Sequence, residues 1–150
     1  MNTSPPPSVG GGGLSLARIP PGDYTRGVTT PSAAAAAKYV LAGVWLTHGL
    51  LCKTLGAVPR HRRIVARVVG ERAAGPMTLA VGAGEIVLAV WIWSGREARL
   101  CAAAQTLMLA SMNFFELRLA YDLLLAPLAM VAANAAFIGL AWYWALAGTP

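Results

Sequence analysis

The sequence predicts an all-α protein: a transmembrane up-down four-helix bundle with a short amphipathic interfacial helix between spans one and two. Only 12% of the 150 residues are charged and 57% are hydrophobic, whereas an ordinary soluble domain carries about 25% charge. The charges are also clustered, since five stretches contain no Asp, Glu, Lys or Arg: residues 39–52, 73–84, 86–95, 100–115 and 123–150. This pattern argues against an ordinary soluble enzyme and against a disulfide-stapled secreted domain.

The chain divides into a leader and a membrane domain. Residues 1–33 are rich in Pro, Gly, Ser and Thr, so they cannot bury enough apolar surface to fold and are expected to be disordered. Residues 34–150 are expected to form the membrane domain. The leader does not resemble a signal peptide, because the first apolar run begins only after residue 33.

Four apolar segments predict the spans, at about residues 34–56, 76–95, 98–119 and 123–147. The uncharged part of the first segment rises only ~21 Å, against ~30 Å of hydrocarbon, so Lys38 and Lys53 are expected to extend outward to the interface. Pro76 is expected to open the second helix. The fourth segment carries a stripe of small residues that favours close packing within the bundle. The stripe consists of Ala129, Ala132, Ala136 and Gly139.

A basic stretch at residues 57–75 separates the first two spans. Apolar Ile64, Val65, Val68 and Val69 are interpreted as one helical stripe, with Arg60, Arg63 and Arg67 opposite. This arrangement predicts an amphipathic helix in the membrane interface, although a solvated basic loop is the alternative. The net charge of +6 is therefore attributed to attraction to anionic lipid rather than to nucleic acid.

Polar residues inside the spans are the candidate site, because ionisable groups in a bilayer are costly. We call the end of the bundle that carries the 57–75 stretch side B. A rise of 1.5 Å per residue places His48 ~11 Å and Glu85 ~14 Å from side B. The same estimate places three further residues in this half of the bundle: Asn113, Glu116 and Asn134. Lys53 and Gln105 are expected at the periphery.

Each of these residues has a structural and a functional interpretation. Glu85 is either a hydrogen-bonded structural carboxyl or a proton carrier or ligand anchor. His48 is either an interhelical hydrogen-bonding group, a proton relay or a haem ligand. Two-histidine haem ligation is excluded within one chain, because the only other histidine, His61, lies in the basic stretch. Gln105, Asn113 and Asn134 are interpreted as interhelical hydrogen-bonding residues.

Motifs of soluble enzymes are absent from the sequence, which has no Walker loop, no HExxH and no GxSxG. Cys52 and Cys101 have no CxxC spacing and are interpreted as small apolar residues. We therefore predict no metal site and identify no catalytic residue.

Several short motifs occur in a fixed order along the chain. They are WLTHGLLCK at 45–53, VPRHRRIV at 58–65, GAGE at 82–85, AxxQT at 102–106, MNxxE at 112–116, and Pro127 with the later Asn134. In this order and spacing, the chain over about residues 36–140 resembles the DoxX-like family of small four-helix membrane proteins. One position departs from the family pattern, since Ala133 stands where a lysine is expected before Asn134.

The resemblance implies a four-span membrane protein and a set of polar positions. Wider relatives include a subunit of a thiosulfate:quinone oxidoreductase and membrane partners of thiol and superoxide defence. Carried over to this sequence, the polar set is His48, Lys53, Glu85, Gln105, Asn113, Glu116 and Asn134.

Three functions remain open. The first is an accessory subunit of a quinone- or thiol-linked redox system, with quinone as the candidate cofactor and a membrane or cytoplasmic redox protein as partner. The second is a non-catalytic scaffold or chaperone, and the third is a small-solute or proton-coupled transporter, which would need an oligomer. The expected location is a bacterial inner membrane. Side B carries seven Lys and Arg residues and side A five, which favours a cytoplasmic side B, whereas domains fused ahead of family members favour the reverse.

Overall fold

The computed structural model describes Met1 and residues 33–147. The predicted leader therefore lies almost wholly outside the described residues. Within them the chain forms helices and no strands, which confirms the all-α fold class. The elements are α1 (Ala33–Leu46), continued by a π-helical segment (Thr47–Thr54), then α2 (Pro59–Val69), α3 (Glu71–Ser94), α4 (Ala98–Leu119), a 3₁₀ turn (Tyr121–Leu123) and α5 (Pro127–Ala147).

Within the described residues, four helices are long and apolar enough to cross a membrane: Ala33–Thr54, Glu71–Ser94, Ala98–Leu119 and Pro127–Ala147. Large apolar side chains cover the outside of these helices, such as Val87, Val90 and Leu107. Water would disfavour such a surface, whereas lipid chains solvate it. The protein is a multi-pass integral membrane protein.

The spanning helices form an antiparallel bundle. The first span packs on α3 and α5, while α4 packs on α5 and α3. Tyr39 contacts Trp93 at one end of the first pair, whereas Lys53 reaches Glu85 further along. In the α4–α5 pair, Thr106 lies beside Trp142 and Asn113 lies beside Asn134. The two helices of each pair therefore run in opposite directions, as the predicted up-down order requires.

Two predicted boundaries differ from the structure. The third helix α3 begins at Glu71, so Pro76 lies inside it rather than at its first position. Proline has the backbone φ of a helix but lacks an N–H, so at this position it removes one helical hydrogen bond and its ring crowds the carbonyl four residues earlier. The last helix begins at Pro127 instead of residue 123. At the first position of a helix the missing N–H of proline costs nothing.

The π-helical segment keeps one face of the first span turned inward. The inward face of the first span has a buried residue at every fourth position: Leu41 and Trp45 in α1, then Gly49 and Lys53 in the π segment. In an α-helix, four residues overshoot a turn by about 40°, so Lys53 would point about 120° away from Leu41. The π segment has wider turns, with bonds such as Leu55 N–H to the Leu50 carbonyl at 2.8 Å. The wider turns offset that drift, and Lys53 stays on the inward face.

Two glycines let the π segment approach α3 closely. A Cβ added to Gly49 would lie 2.6 Å from the Gly82 carbonyl oxygen, and one added to Gly82 would lie 2.9 Å from the Gly49 oxygen. The predicted packing role of the small-residue stripe on α5 is wrong, because Ala129, Ala132, Ala136 and Gly139 are all exposed. Close helix approach instead occurs between the first two spans.

The apolar core occupies the end of the bundle away from side B. It includes Leu41, Trp45, Ile92, Ala102 and Trp144. Towards side B the interior becomes polar, and α2 packs there against α3, the π segment and α4. Whether α2 lies in the membrane interface stays a prediction.

Candidate functional site

A buried ion pair joins the first two spans. The Lys53 Nζ donates a hydrogen bond to Glu85 Oε1, and the two side chains are only 3% and 2% exposed. A charge removed from water is tolerated when it is paired and hydrogen-bonded. Lys53 comes from the π segment and Glu85 from α3, and the pair flanks the Gly49–Gly82 contact, since Gly49 faces Glu85 and Gly82 faces Lys53.

The ion pair lies in the wall of a cavity of about 380 Å³ on side B. Polar residues from all the packed helices line it, together with Trp45, Leu109, Met112 and Phe137. The polar lining is His48, Lys53, Arg60, His61, Glu85, Asn113, Glu116 and Asn134. This mixture of apolar walls and a few polar groups is typical of small-molecule sites.

Three buried polar atoms around this cavity lack a hydrogen-bond partner. They are Arg60 Nε, His61 Nδ1 and Glu85 Oε2, and the described part of the chain contains no other such side-chain atoms. All three residues line the same cavity. Since buried polar groups in proteins are nearly always hydrogen-bonded, such a concentration indicates a place where water or a ligand supplies the missing bonds.

His61 of α2 faces the cavity as a neutral imidazole. Burial and, to a smaller extent, electrostatic repulsion from Lys53, His48 and Arg60 together lower its pKa from 6.5 to about 4, against the opposing effect of a hydrogen bond to the Cys52 backbone. The His48 and His61 rings are 6.3 Å apart between centroids. At neutral pH His61 therefore contributes hydrogen-bonding capacity without adding a charge.

Interhelical hydrogen bonds hold the amide side chains around the cavity. Asn134 Nδ2 donates to Asn113 Oδ1 at 2.6 Å and ties α5 to α4. The Trp45 Nε1 donates to Gln105 Oε1 at 2.9 Å and ties α1 to α4 where the apolar core meets the cavity. These bonds fix the Trp45 ring in the cavity wall, where it also contacts Phe137 edge to face at 5.9 Å.

Comparison with protein-family models matches residues 42–142, more than half of the chain, to the DoxX-like family. The chain belongs to the DoxX-like family. Neither the curated proteins nor the solved structures contain a match to it. The matched region of this DoxX-like protein starts just before Trp45 and ends beyond Asn134, so it includes every residue of the cavity lining.

The short motifs of the DoxX-like chain meet at this cavity. The 45–53 motif provides Trp45, His48 and Lys53, and the GAGE motif provides Gly82 and Glu85. The 112–116 motif provides Met112, Asn113 and Glu116. In this chain the motifs thus contribute partly to the close helix approach and partly to the cavity.

Some of the predicted site residues lie where they were expected, and others do not. Glu85, Asn113, Glu116 and Asn134 line the cavity as expected, and His48 lines it while remaining exposed. The prediction that Lys53 extends outward is wrong, since it is 5% exposed and bound to Glu85. Gln105 is likewise not peripheral, because it is fully buried. The functional roles of all seven residues stay predictions.

The lining residues that the sequence analysis did not propose for the site include Trp45, Arg60 and His61. Arg60 was expected opposite Ile64, but the structure places both in the cavity lining. Residues four apart lie on one helix face, so the spacing of Arg60 and Ile64 was the signal for this arrangement. By contrast Arg63 and Arg67 are exposed.

The cavity offers hydrogen-bond donors and acceptors, including the carboxylates of Glu85 and Glu116. Among the described residues no group of three or more His, Cys, Asp or Glu is arranged to hold a metal ion. The arrangement suits a small ligand that contacts both aromatic rings and hydrogen-bonding groups.

Proposed function

We propose that the protein is an accessory subunit of a membrane redox system in a bacterial inner membrane, and that the side-B cavity binds a quinone head group. The main support is the set of three unpaired polar atoms in one buried cavity, at Arg60, His61 and Glu85. The aromatic rings of Trp45 and Phe137 in the same wall suit a planar ring.

Quinone reduction requires two electrons and two protons, which convert two carbonyl oxygens to hydroxyls. In this proposal a partner protein supplies the electrons. The cationic Arg60 and Lys53 side chains stabilise negative charge that develops on a carbonyl oxygen. Glu85 is held through Oε1 by Lys53, so Oε2 remains to deliver or take up a proton.

The binding step can be tested on the purified protein in detergent. A short-chain benzoquinone titrated into the sample is expected to quench tryptophan fluorescence with saturation, and Trp45→Phe is expected to remove most of that signal. Glu85→Gln should weaken binding about tenfold, since a hydrogen bond to a charged group contributes roughly 1.5–3 kcal/mol. Glu71→Gln is the matched control, because Glu71 is an exposed carboxylate of the same helix outside this cavity.

The redox role needs a separate measurement. Membranes from cells that lack the protein are expected to reduce quinone more slowly, with recovery by the wild-type chain and by Glu71→Gln but not by Glu85→Gln. Equal quinone reduction by all of these membranes would contradict the redox role. Non-saturating quenching, or equal affinity of the two variants, would contradict quinone binding.

A second candidate, a scaffold that binds another membrane protein, is favoured by the exposed stripe on α5. Small side chains that face outward allow a partner helix to approach closely. Ala132→Leu is then expected to abolish a crosslinked complex in native membranes, whereas Leu128→Ala, at another exposed position of α5, should retain it. Recovery of the wild-type chain only as a free monomer would contradict the scaffold role.

A further inference from the structure

A second and larger cavity lies on the other side of Lys53. It is a groove of about 550 Å³ between the π segment, α2 and the first turns of α3. Its apolar lining includes Val58, Pro59, Ala66 and Leu79. Its charged lining consists of Lys53, Arg62, Arg63 and Glu71. The side-B cavity proposed to bind a quinone, called the quinone cavity below, and this groove have only Lys53 in common.

The arginines of α2 fall into different environments. Arg60 faces the quinone cavity, and Arg67 pairs with Asp122 at 3.1 Å. Arg62 and Arg63 are exposed and form no ion pair with any described residue, Glu71 included. Because Lys53 is committed to Glu85, the free positive charge of the groove comes from these two adjacent guanidinium groups.

We infer that this groove is a binding site for one anionic phospholipid. Arg62 and Arg63 hold the phosphodiester, because a guanidinium group binds phosphate oxygens in a two-pronged geometry. The groove lies at the ends of two spans, which is the depth of the lipid head groups. An acyl chain runs along the apolar wall formed by Val58 and Leu79 and continues over the outer face of α3.

The apolar wall distinguishes a lipid from a free phosphate ion. A free anion would use the arginines alone and would leave the wall in contact with water. A phospholipid covers the wall and the arginines together, so both parts of the groove contribute to its affinity. Glu71 also repels a ligand with a high negative charge, which favours the singly charged phosphodiester of phosphatidylglycerol.

Native mass spectrometry of the full-length protein tests the site. The delipidated protein, titrated with phosphatidylglycerol in detergent, is expected to retain one lipid, and phosphatidylcholine should be retained at least about tenfold more weakly. The double variant Arg62→Gln/Arg63→Gln should lose about thirtyfold in affinity for phosphatidylglycerol. The control is Arg96→Gln/Arg99→Gln, which removes two exposed arginines at the opposite end, one in the α3–α4 turn and one in the first turn of α4.

Each outcome bears on the lipid site alone, because the quinone-quenching assay measures the other cavity. Retention of lipid by Arg96→Gln/Arg99→Gln and loss by Arg62→Gln/Arg63→Gln supports the site. Equal affinity in both double variants, or equal retention of the two lipids, overturns it. Displacement of phosphatidylglycerol by millimolar inorganic phosphate would overturn the lipid proposal and indicate that the groove binds a free anion. Leu79→Asp provides a second check, since it should weaken lipid binding while leaving both arginines in place.

Discussion

The ammonium group of Lys53 and the carboxylate of Glu85 form an ion pair between the first and second spans, with both side chains almost fully buried. The pair is positioned by Gly49 and Gly82, which let the π segment approach α3 within the reach of a lysine. It separates the two cavities of side B, since Lys53 lines both. This one contact thus joins the packing of the bundle to its candidate site.

Removing one partner of the pair should destabilise the protein strongly. Lys53→Met leaves the Glu85 carboxylate buried without its counter-charge, which typically costs about 3–5 kcal/mol. We expect a melting temperature in detergent many degrees below that of the wild type. The double variant Lys53→Met/Glu85→Leu removes both charges and should melt well above Lys53→Met. If Lys53→Met melts at the wild-type temperature, the buried pair is not present in solution.

Alanine at either glycine of the close contact should disturb the crossing. The added Cβ would meet backbone oxygen at 2.6 Å in Gly49→Ala and at 2.9 Å in Gly82→Ala. Backbone atoms cannot move aside as a flexible side chain can, so we expect a loss of roughly 1–3 kcal/mol and a lower melting temperature. Gly43→Ala and Gly139→Ala are matched controls, because no atom lies within 4 Å of the added Cβ. Identical melting of all four variants would contradict the close approach.

Stability should depend on pH through His61. Its pKa is about 4 in the folded protein against 6.5 for a free histidine, so between these values the unfolded chain binds more protons than the folded one. The stability associated with neutral His61 is therefore fully present above pH 6.5 and is lost as the pH falls towards 4. The melting temperature of His61→Gln should decline less than that of the wild type between pH 7 and pH 4.5. Parallel declines would argue that His61 is not buried.

The exposed ion pair between Arg67 and Asp122 should contribute little. Its side chains are 52% and 61% exposed, and solvent screens such pairs to about 0–1 kcal/mol. We expect Arg67→Gln to lower the melting temperature by at most a few degrees. In 0.5 M salt, which screens the pair, the variant and the wild type should melt at about the same temperature. A loss comparable with that of Lys53→Met would show that this contact fastens α2 to the bundle far more strongly than exposure allows.

The spans of the membrane domain could be predicted from the sequence, because the hydrophobicity of a segment depends only on its own residues. Uncharged stretches of about twenty residues identify spans wherever the helices pack, and α4 was predicted with its observed ends, Ala98–Leu119. The depths expected for Glu85, Asn113 and Asn134 from the constant rise of a helix stay predictions, and the one for Glu85 was counted from Pro76 although α3 begins at Glu71. Depth is a one-dimensional quantity, so it needs no knowledge of neighbouring helices.

Direction around a helix is different, because it depends on the local twist and on which neighbour lies opposite. Lys53 was expected to extend outward to the interface, but the wider turns of the π segment direct it to Glu85. The small residues that matter for packing, Gly49 and Gly82, were likewise selected by contact between two helices and not by the pattern within one. The sequence by itself determined the solvent and the spans. Only the tertiary structure decided which polar groups meet, since that depends on angles and distances between helices that local sequence does not specify.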